Sequence, residues 1–204
     1  PWTDVLRADV PVRVDVATSR KSKIYHAGAA TKRIETALIE SAGMTVAADA
    51  PVILKVRIDD NRVTISVDTS GAPLHTRGHK VAVGTAPMRE TLAALFLRQC
   101  GFDGSQPVFD PMCGSGTFVI EAAEIAARLQ AGRDRALAFE KLAGFDKTCA
   151  DSMRDEARRR TPQVRLTGSD RDRGVIEMAQ ANATRAGVAD ICNFAPANAG
   201  DVTP

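Results

Sequence analysis

The stretch VFDPMCGSGTFVIEAAEIAAR, residues 108–128, constrains the fold more than any other part of this 204-residue chain. Its first residues read as a buried strand that ends on Asp110, and a turn with two glycines, Gly114 and Gly116, follows. The rest is apolar around most of its circumference, which is typical of a helix that covers a parallel sheet. A strand, a glycine turn and a helix in this order predict an α/β domain with a ligand-binding loop.

Two more strands continue this pattern towards the end of the chain. VRLTGSD (164–170) predicts a second short strand, and ADICNFAPAN (189–198) predicts a third. Between them, residues 173–187 have helical periodicity, with Asp172 as the N-cap and Gly187 at the end. Strand, helix, strand, helix, strand predicts parallel pairing through right-handed crossovers.

The first 70 residues predict a separate, smaller α/β unit. PVRVDVA (11–17) alternates in the manner of a half-buried strand, and residues 29–42 predict a helix that ends at Gly43. VILKVRI and RVTISV both alternate, and residues 59–61 between them supply turn residues, which predicts a hairpin.

Three segments connect or follow these units. Residues 68–87 are rich in Gly, Pro, Ser and Thr and are interpreted as a linker. Residues 87–101 predict a helix with Pro87 in its first turn. The charged stretch 130–162 is interpreted as helical surface.

Composition excludes several classes of protein. No stretch approaches the roughly 18 apolar residues that span a bilayer, and the N-terminus lacks the pattern of a signal peptide. The four cysteines include no C-x-x-C pair, so reduced cytoplasmic thiols are expected rather than a zinc site or disulfides. The three histidines show no metal-ligand spacing, and no metal is expected.

The glycine loop could hold a phosphate, a dinucleotide or a sulfonium cofactor. A Walker loop needs Lys after its last glycine, but Thr117 and Phe118 follow Gly116. The dinucleotide fingerprint needs a glycine at Val119, and Asp110 would direct a negative charge at the pyrophosphate. S-adenosylmethionine fits better, because a carboxylate can bind its ammonium and a helix N-terminus can meet its carboxylate. A second acid, Asp170, is placed to bind the ribose hydroxyls.

The segments DPMCGSGTFVIEAA, GSDRDRGVIEMAQANATRAGV, SGAPLHTRGHK and APMRETLAAL give the chain a family resemblance. It resembles class I methyltransferases that carry an N-terminal THUMP domain and methylate the exocyclic amine of guanine in RNA. Members are often catalogued as N6-adenine-specific DNA methylases. VDVATSRKSKIYHAGAATKRIETAL is similar to the latter part of a THUMP domain. The resemblance implies a partial THUMP-like domain with linker at 1–80, and at 81–204 the first part of a Rossmann-like methyltransferase domain with a parallel sheet.

The resemblance also implies a set of cofactor contacts. The cofactor would be S-adenosylmethionine, and the residues expected to contact or border it are Asp110, Pro111, Cys113, Gly114, Ser115, Gly116, Thr117, Asp170, Arg171, Asn198, Thr85, Ala86, Pro87 and Met88. At Asn198 these enzymes usually place an acid against the adenine amine, whereas Asn offers an uncharged acceptor. Cys113 is interpreted as a small lining side chain rather than a nucleophile, since no His is near it in sequence.

The chemistry of this family comes from a fourth-strand motif, Asn or Asp followed by Pro-Pro and Tyr or Phe. Its polar atoms accept hydrogens from the target amine, and its ring stacks on the extruded base. The 204 residues contain no such motif, so the catalytic residues are unknown. We expect the chain to be an internal fragment of a longer protein, itself inactive.

Charge divides unevenly, since residues 1–101 hold 14 Lys and Arg against 10 Asp and Glu, while residues 102–204 hold 13 against 15. From charge alone, a polyanion partner for the first half and a chance asymmetry are both open. A solvated turn before a helix would explain the basic run equally well, and the resemblance favours RNA. The residues expected to contact RNA are Arg20, Lys21, Lys23, Lys32, Arg33 and Arg77.

Together with the sequence pattern, the resemblance implies a cytoplasmic methyltransferase whose expected target is guanine N2 of ribosomal RNA. One alternative keeps the cofactor and changes the substrate to adenine in DNA. Another is a non-catalytic module that binds nucleic acid or the cofactor.

Overall fold

The computed structural model describes residues 1–81, 83–84, 87–156 and 159–202. The chain forms two compact units, Pro1–Pro73 with Ala136–Cys149, and Leu74–Arg135 with Ala150–Pro204, here called unit 1 and unit 2. This division differs from the predicted ranges 1–80 and 81–204, because residues 74–80 belong to unit 2 and residues 136–149 return to unit 1.

Unit 1 contains a three-stranded sheet with one covering helix. Its elements are β1 (Val12–Thr18), α1 (Ala27–Ala42), β2 (Val52–Asp59) and β3 (Arg62–Val67). The sheet order is β1-β2-β3, with β1 and β2 parallel and β2 and β3 antiparallel. Alternate residues of β1 and β2 point into the core, where Leu38 of α1 meets them. The predicted strand, helix and hairpin are all confirmed.

The hairpin turn has the backbone that its residues favour. Asp60 and Asn61 both have positive φ, 48° and 61°, as a two-residue turn between twisted strands requires. Val63 and Ile65 lie on the same side of β3, but they are 52% and 41% exposed. The core of unit 1 therefore lies under β1 and β2.

Unit 2 is built on a parallel sheet. Its strands are β4 (Val108–Asp110), β5 (Leu166–Asp170) and β6 (Cys192–Pro196), in the order β4-β5-β6. Both pairs of strands are parallel, which confirms the predicted pattern. The helices α2 (Glu90–Gln99), α3 (Thr117–Ala126) and α5 (Arg173–Arg185) alternate with the strands. The core contains Val119, Leu166 and Phe194.

Two sequence expectations differ from the structure. Within 130–162, the described residues form one α-helix, α4 (Lys147–Glu156), and a short 3-10 turn at Ala138–Lys141, so this stretch is less helical than predicted. The predicted linker 68–87 is part of the folded structure at residues 77–80, where His79 is 6% exposed. In the described part of the chain, no helix combines the length and apolarity that a membrane span needs.

Candidate functional site

Residues 111–116 form the loop between β4 and α3, here called the glycine loop. The Cys113 N–H donates to the Ser169 carbonyl at 2.9 Å, and the Gly116 N–H donates to the Cys113 carbonyl at 2.9 Å. One hydrogen bond ties the loop to β5, and the other closes a turn within it. The backbone that reaches the N-terminus of α3 is therefore held in place before any ligand binds.

Glycine is required where the loop meets its neighbours. Gly116 has φ 86°, and a Cβ there would lie 3.0 Å from both the Ala179 Cβ and the Phe194 Cζ. Gly114 also has positive φ, 52°, but it faces open space. At Gly168 in β5, a Cβ would lie 2.9 Å from the Phe194 ring. The Phe194 ring thus packs against Gly116 and Gly168 at distances that only glycine allows.

The two predicted acids end neighbouring parallel strands, Asp110 on β4 and Asp170 on β5. Asp110 Oδ1 accepts from the Met112 N–H at 3.0 Å. Asp170 Oδ2 accepts from the Gly114 N–H at 3.1 Å, and its Oδ1 accepts from the Asp172 N–H at 3.0 Å. The sheet therefore brings both carboxylates to the glycine loop, and Asp170 also anchors that loop. The anchoring role was not predicted.

The acids share one electrostatic environment. Burial raises the pKa of Asp110, and the nearby charge of Asp170 raises it further. Burial, followed by the charges of both acids, raises the pKa of Cys113 to about 12. The Cys113 thiol therefore stays protonated near neutral pH, as a lining side chain would and an activated nucleophile would not.

A lysine from outside the loop reaches the start of α3. In the part of the chain that the structure describes, the N-cap Gly116 leaves the first turn of α3 without a side-chain cap. The Lys80 Nζ donates to the Thr117 Oγ1 at 2.8 Å and to the Met88 carbonyl at 2.5 Å, and lies 4.0 Å from the Glu90 carboxylate. Sequence reasoning missed this residue because it stands in a segment interpreted as linker.

Asn182 of α5 forms a hydrogen bond with the glycine loop, and sequence reasoning missed this residue as well. It is fully buried, and its Nδ2 donates to the Ser115 carbonyl at 3.1 Å. Its Oδ1 accepts from Arg185, which also donates from Nε to the His79 carbonyl at 2.7 Å. The sequence did carry a signal for Asn182, since it stands on the apolar face of a predicted helix. A buried amide needs hydrogen-bond partners, so an Asn at such a position indicates a structural role.

Arg77, which was predicted to contact RNA, lies in a buried ion pair. Its Nε and Nη2 donate to the two Glu121 carboxylate oxygens at 3.1 and 3.2 Å, and the two side chains are 10% and 4% exposed. Burial raises the pKa of Glu121 to about 7, against the opposing effect of the Arg77 guanidinium. The guanidinium is thus committed to a buried ion pair in unit 2.

The segment before α2 was predicted to border the cofactor. Pro87 and Met88 line a cavity of about 490 Å³ together with Lys80, Arg89 and Glu90. The other two residues predicted here, Thr85 and Ala86, lie outside the described residues.

The remaining predicted contacts lie at the carboxyl ends of β5 and β6. Arg171 is exposed directly after Asp170. Asn198 is exposed beyond β6, and its Nδ2 donates to the Asp201 carboxylate at 3.0 Å. That bond leaves the Asn198 side-chain oxygen as the acceptor that the resemblance requires.

Unit 1 carries the other predicted cations on its surface, and the side chains of Arg20, Lys21, Lys23, Lys32 and Arg33 are all exposed. The loop that holds the first three is fixed to the β2–β3 turn. The Lys23 N–H donates to the Asn61 Oδ1 at 2.8 Å, and the Asn61 N–H donates to the Ser22 Oγ at 3.3 Å. Among the described residues, no group of three potential metal ligands is present.

Curated relatives share much of this chain but are much longer. A Vibrio campbellii protein named ribosomal RNA large subunit methyltransferase K/L is 42% identical over 155 residues, covering 72% of this chain and 22% of that protein. A Psychromonas ingrahamii protein of the same name is 40% identical over 163 residues, covering 76% and 22%. The chain thus spans about a fifth of the relatives it matches.

Solved structures match the whole chain. A Listeria monocytogenes protein, described as a predicted N6-adenine-specific DNA methylase, superposes with a TM-score of 0.84 at 29% identity. SMU.472, described as a methyltransferase complexed with SAH, superposes with a TM-score of 0.83 at 27% identity. In both cases all of this chain and 56% of the other are covered. The fold is therefore the mixed α/β, Rossmann-like fold of class I methyltransferases.

A family model described as RMKL-like, methyltransferase domain (UPF0020) matches residues 77–204. The match covers more than half of the chain and includes the glycine loop and both acids. Its first residue lies close to Leu74, where unit 2 begins. The chain therefore belongs to the UPF0020 family of RMKL-like methyltransferase domains.

Proposed function

We propose that the chain forms the cofactor-binding part of an enzyme that transfers a methyl group from S-adenosylmethionine to an exocyclic amine of RNA, with guanine N2 of ribosomal RNA as the expected target. The observation that carries this proposal is the pair of carboxylates, Asp110 and Asp170, at the ends of adjacent parallel strands around a loop of bare peptide. Two acids so placed favour a ligand with an ammonium and ribose hydroxyls over a pyrophosphate.

The residues present fit this cofactor. Asp110 would bind its ammonium, and Asp170, which has acceptor capacity beyond its two backbone bonds, would bind the ribose hydroxyls. The uncapped first turn of α3 would face its carboxylate. Gly114 and Gly116 would let the backbone approach it closely. When bound, the cofactor supplies a methyl group on a positively charged sulfur.

Asp110 has an electrostatic reason to bind a cation. Burial and the neighbouring Asp170 raise its pKa, so its ionised form is disfavoured in the ligand-free site. An ammonium beside the carboxylate would lower that pKa and stabilise the charge. A phosphate would add a third negative charge to the same place.

The RNA assignment draws on unit 1 and on the relatives. Five exposed cations, Arg20, Lys21, Lys23, Lys32 and Arg33, form the proposed RNA surface of a THUMP-like domain. The curated relatives are named as ribosomal RNA methyltransferases, which supports ribosomal RNA as substrate. A cytoplasmic location goes with that substrate.

We do not assign a catalytic residue within the 204 residues. The sequence contains no Asn-Pro-Pro-Tyr type of motif to accept hydrogens from the target amine. We therefore expect these residues to bind the cofactor without turnover, and methyl transfer by them alone would show that the active site has been misplaced.

A second candidate is methylation of adenine in DNA, which the description of the Listeria monocytogenes structure favours. Methyl incorporation into RNA and into DNA by a full-length family member that contains this sequence separates the two. Transfer only to DNA adenine would contradict the RNA proposal. A non-catalytic binding module predicts transfer to neither.

Calorimetric titration tests the cofactor itself. S-adenosylhomocysteine should bind the chain, whereas NAD should not, because its pyrophosphate would meet Asp110 and Asp170. The Asp170→Ala variant should weaken S-adenosylhomocysteine binding about tenfold or more, since a charge-assisted hydrogen bond contributes roughly 1.5–3 kcal/mol. Binding of NAD in preference would overturn the proposal.

A further inference from the structure

Unit 2 contains a single lysine. All cationic side chains of Leu74–Arg135 and Ala150–Pro204 are arginines except Lys80. That lysine is 9% exposed, in a segment that sequence analysis interpreted as linker. A buried ammonium loses the hydration that an exposed lysine keeps, so its position calls for partners that offset this loss.

Those partners come from two segments that flank the proposed cofactor site. The Met88 carbonyl, 2.5 Å from the Lys80 Nζ, belongs to the segment before α2 that the resemblance places at the cofactor. The Thr117 Oγ1, 2.8 Å away, belongs to the first residue of α3. Lys80 therefore joins the segment before α2 to the end of the glycine loop, and it lines the cavity of about 490 Å³ with Met88 and Glu90.

The charge of Lys80 is poorly placed for stability alone. The N-terminus of a helix carries a partial positive charge, so the dipole of α3 disfavours a cation beside Thr117. Burial lowers the pKa of Lys80, while Glu90 and Glu121 raise it. Glu90 has the larger effect of the two acids, and its carboxylate lies 4.0 Å from the ammonium. Two sources of positive charge thus meet where the carboxylate of the proposed cofactor would lie.

We propose that Lys80 is a positioning residue of the cofactor pocket, which holds Met88 against Thr117 and keeps a positive charge at the point where the cofactor carboxylate binds. This inference rests on the proposed function. The Lys80 ammonium donates to the Met88 carbonyl and the Thr117 hydroxyl, and its third N–H makes no hydrogen bond to Glu90 at 4.0 Å, whereas a planar guanidinium presents its donors in a flat fork.

The test compares two ligands and three variants by calorimetry. S-adenosylhomocysteine carries the amino-acid carboxylate, and 5′-methylthioadenosine lacks it. Lys80→Met should weaken S-adenosylhomocysteine binding about tenfold while changing methylthioadenosine binding less than about twofold. Lys80→Arg keeps the charge and should recover part of the lost affinity. Lys141→Met, the same substitution at an exposed site of unit 1, should bind both ligands as the unaltered chain does.

The ligand pair separates a positioning role from a merely structural one. If Lys80→Met weakens both ligands equally, or neither, the inference is wrong. Should Lys80→Met fail to fold, Lys80→Gln carries the same comparison. An unchanged affinity of Lys80→Gln for S-adenosylhomocysteine, relative to methylthioadenosine, would overturn the inference. If the unaltered chain binds neither ligand, the proposed function fails and the inference with it.

Discussion

The carboxyl of Asp110 is held where an ionised acid is unfavourable. Burial and the charge of Asp170 both raise its pKa, so the folded protein binds a proton there at a higher pH than the unfolded chain does. The charged form therefore destabilises the fold at neutral pH. A ligand cation beside Asp110 would offset the repulsion between the two carboxylates. Binding sites often conflict with stability in this way.

Asp110→Asn should therefore stabilise the protein and weaken its ligand affinity. The amide oxygen can still accept from the Met112 N–H, while the buried charge is removed. Urea unfolding should show higher stability than the unaltered chain at pH 7 and a smaller difference at about pH 3, where the Asp110 carboxyl is largely protonated in the folded and in the unfolded chain. Calorimetry should show weaker S-adenosylhomocysteine binding. Lower stability at pH 7 would contradict this account of the site.

Glycine substitutions separate two effects within one loop. Gly116→Ala should cost more stability than Gly114→Ala, because both have positive φ but only the new Cβ at Gly116 would contact Ala179 and Phe194. The backbone conformation alone accounts for about 1–2 kcal/mol. Urea unfolding of both variants measures the difference, and Gly144→Ala, with ordinary φ and open space, is the control. Equal losses at 114 and 116 would show that the packing at Phe194 relaxes freely.

At the scale of elements, strands and helices could be predicted where a period recurs along the chain. The alternation in β1, β2 and β3 and the helical period of α1 and α5 gave the right element types, since each reflects burial of one face. The segment 75–80 has no such period. Its Arg77 pairs with Glu121, which is 44 positions away, and local patterns carry no information on such a pair.

Breaking that ion pair should be costly. Arg77→Met leaves the buried Glu121 carboxylate unpaired and should lower the free energy of unfolding by about 3–5 kcal/mol at pH 8. Adding Glu121→Gln should restore part of this loss, as a double-mutant cycle by urea unfolding would measure. Arg7→Met, in the exposed pair of Arg7 with Asp9, should have little effect.

The stability of the Arg77→Met variant should also depend on pH. Burial already raises the pKa of Glu121 to about 7, and removing Arg77 would raise it further. Between pH 8 and pH 6 the folded variant would bind a proton at Glu121, whereas the unfolded chain would not. Its stability should therefore rise as the pH falls from 8 to 6. A stability that falls from pH 8 to pH 6 would contradict a raised pKa of Glu121 in this variant.

At the scale of the whole molecule, contacts between distant segments set the division into units. Residues 136–149 return to unit 1, where the Ala143 N–H donates to the Val5 carbonyl at 3.0 Å. A charged surface stretch gives no sequence signal for such a return. The acids of the site were predictable, because the carboxyl ends of parallel strands meet at one edge. Lys80 and Asn182 were not, since their partners come from other elements.

The distribution of charge leads to a prediction for RNA binding. Replacing Arg20, Lys21 and Lys23 by Gln should weaken RNA binding by this chain and flatten its dependence on salt. Each lost phosphate contact should lower the slope of log K against log salt concentration by about 0.7–0.9. Lys141→Gln, another exposed cation, should leave the slope unchanged. Filter binding at several salt concentrations measures both, and an unchanged slope in the triple variant would remove this surface from the proposed interface.

The hydrogen bond from the Gly114 amide to Asp170 gives the protein a built-in spectroscopic probe. The nitrogen-bound proton of residue 114 senses how much electron density the acid at position 170 donates to it. When nucleoside hydroxyls compete for those oxygen lone pairs, the resonance of this one proton should move, so occupancy could be followed without any attached dye.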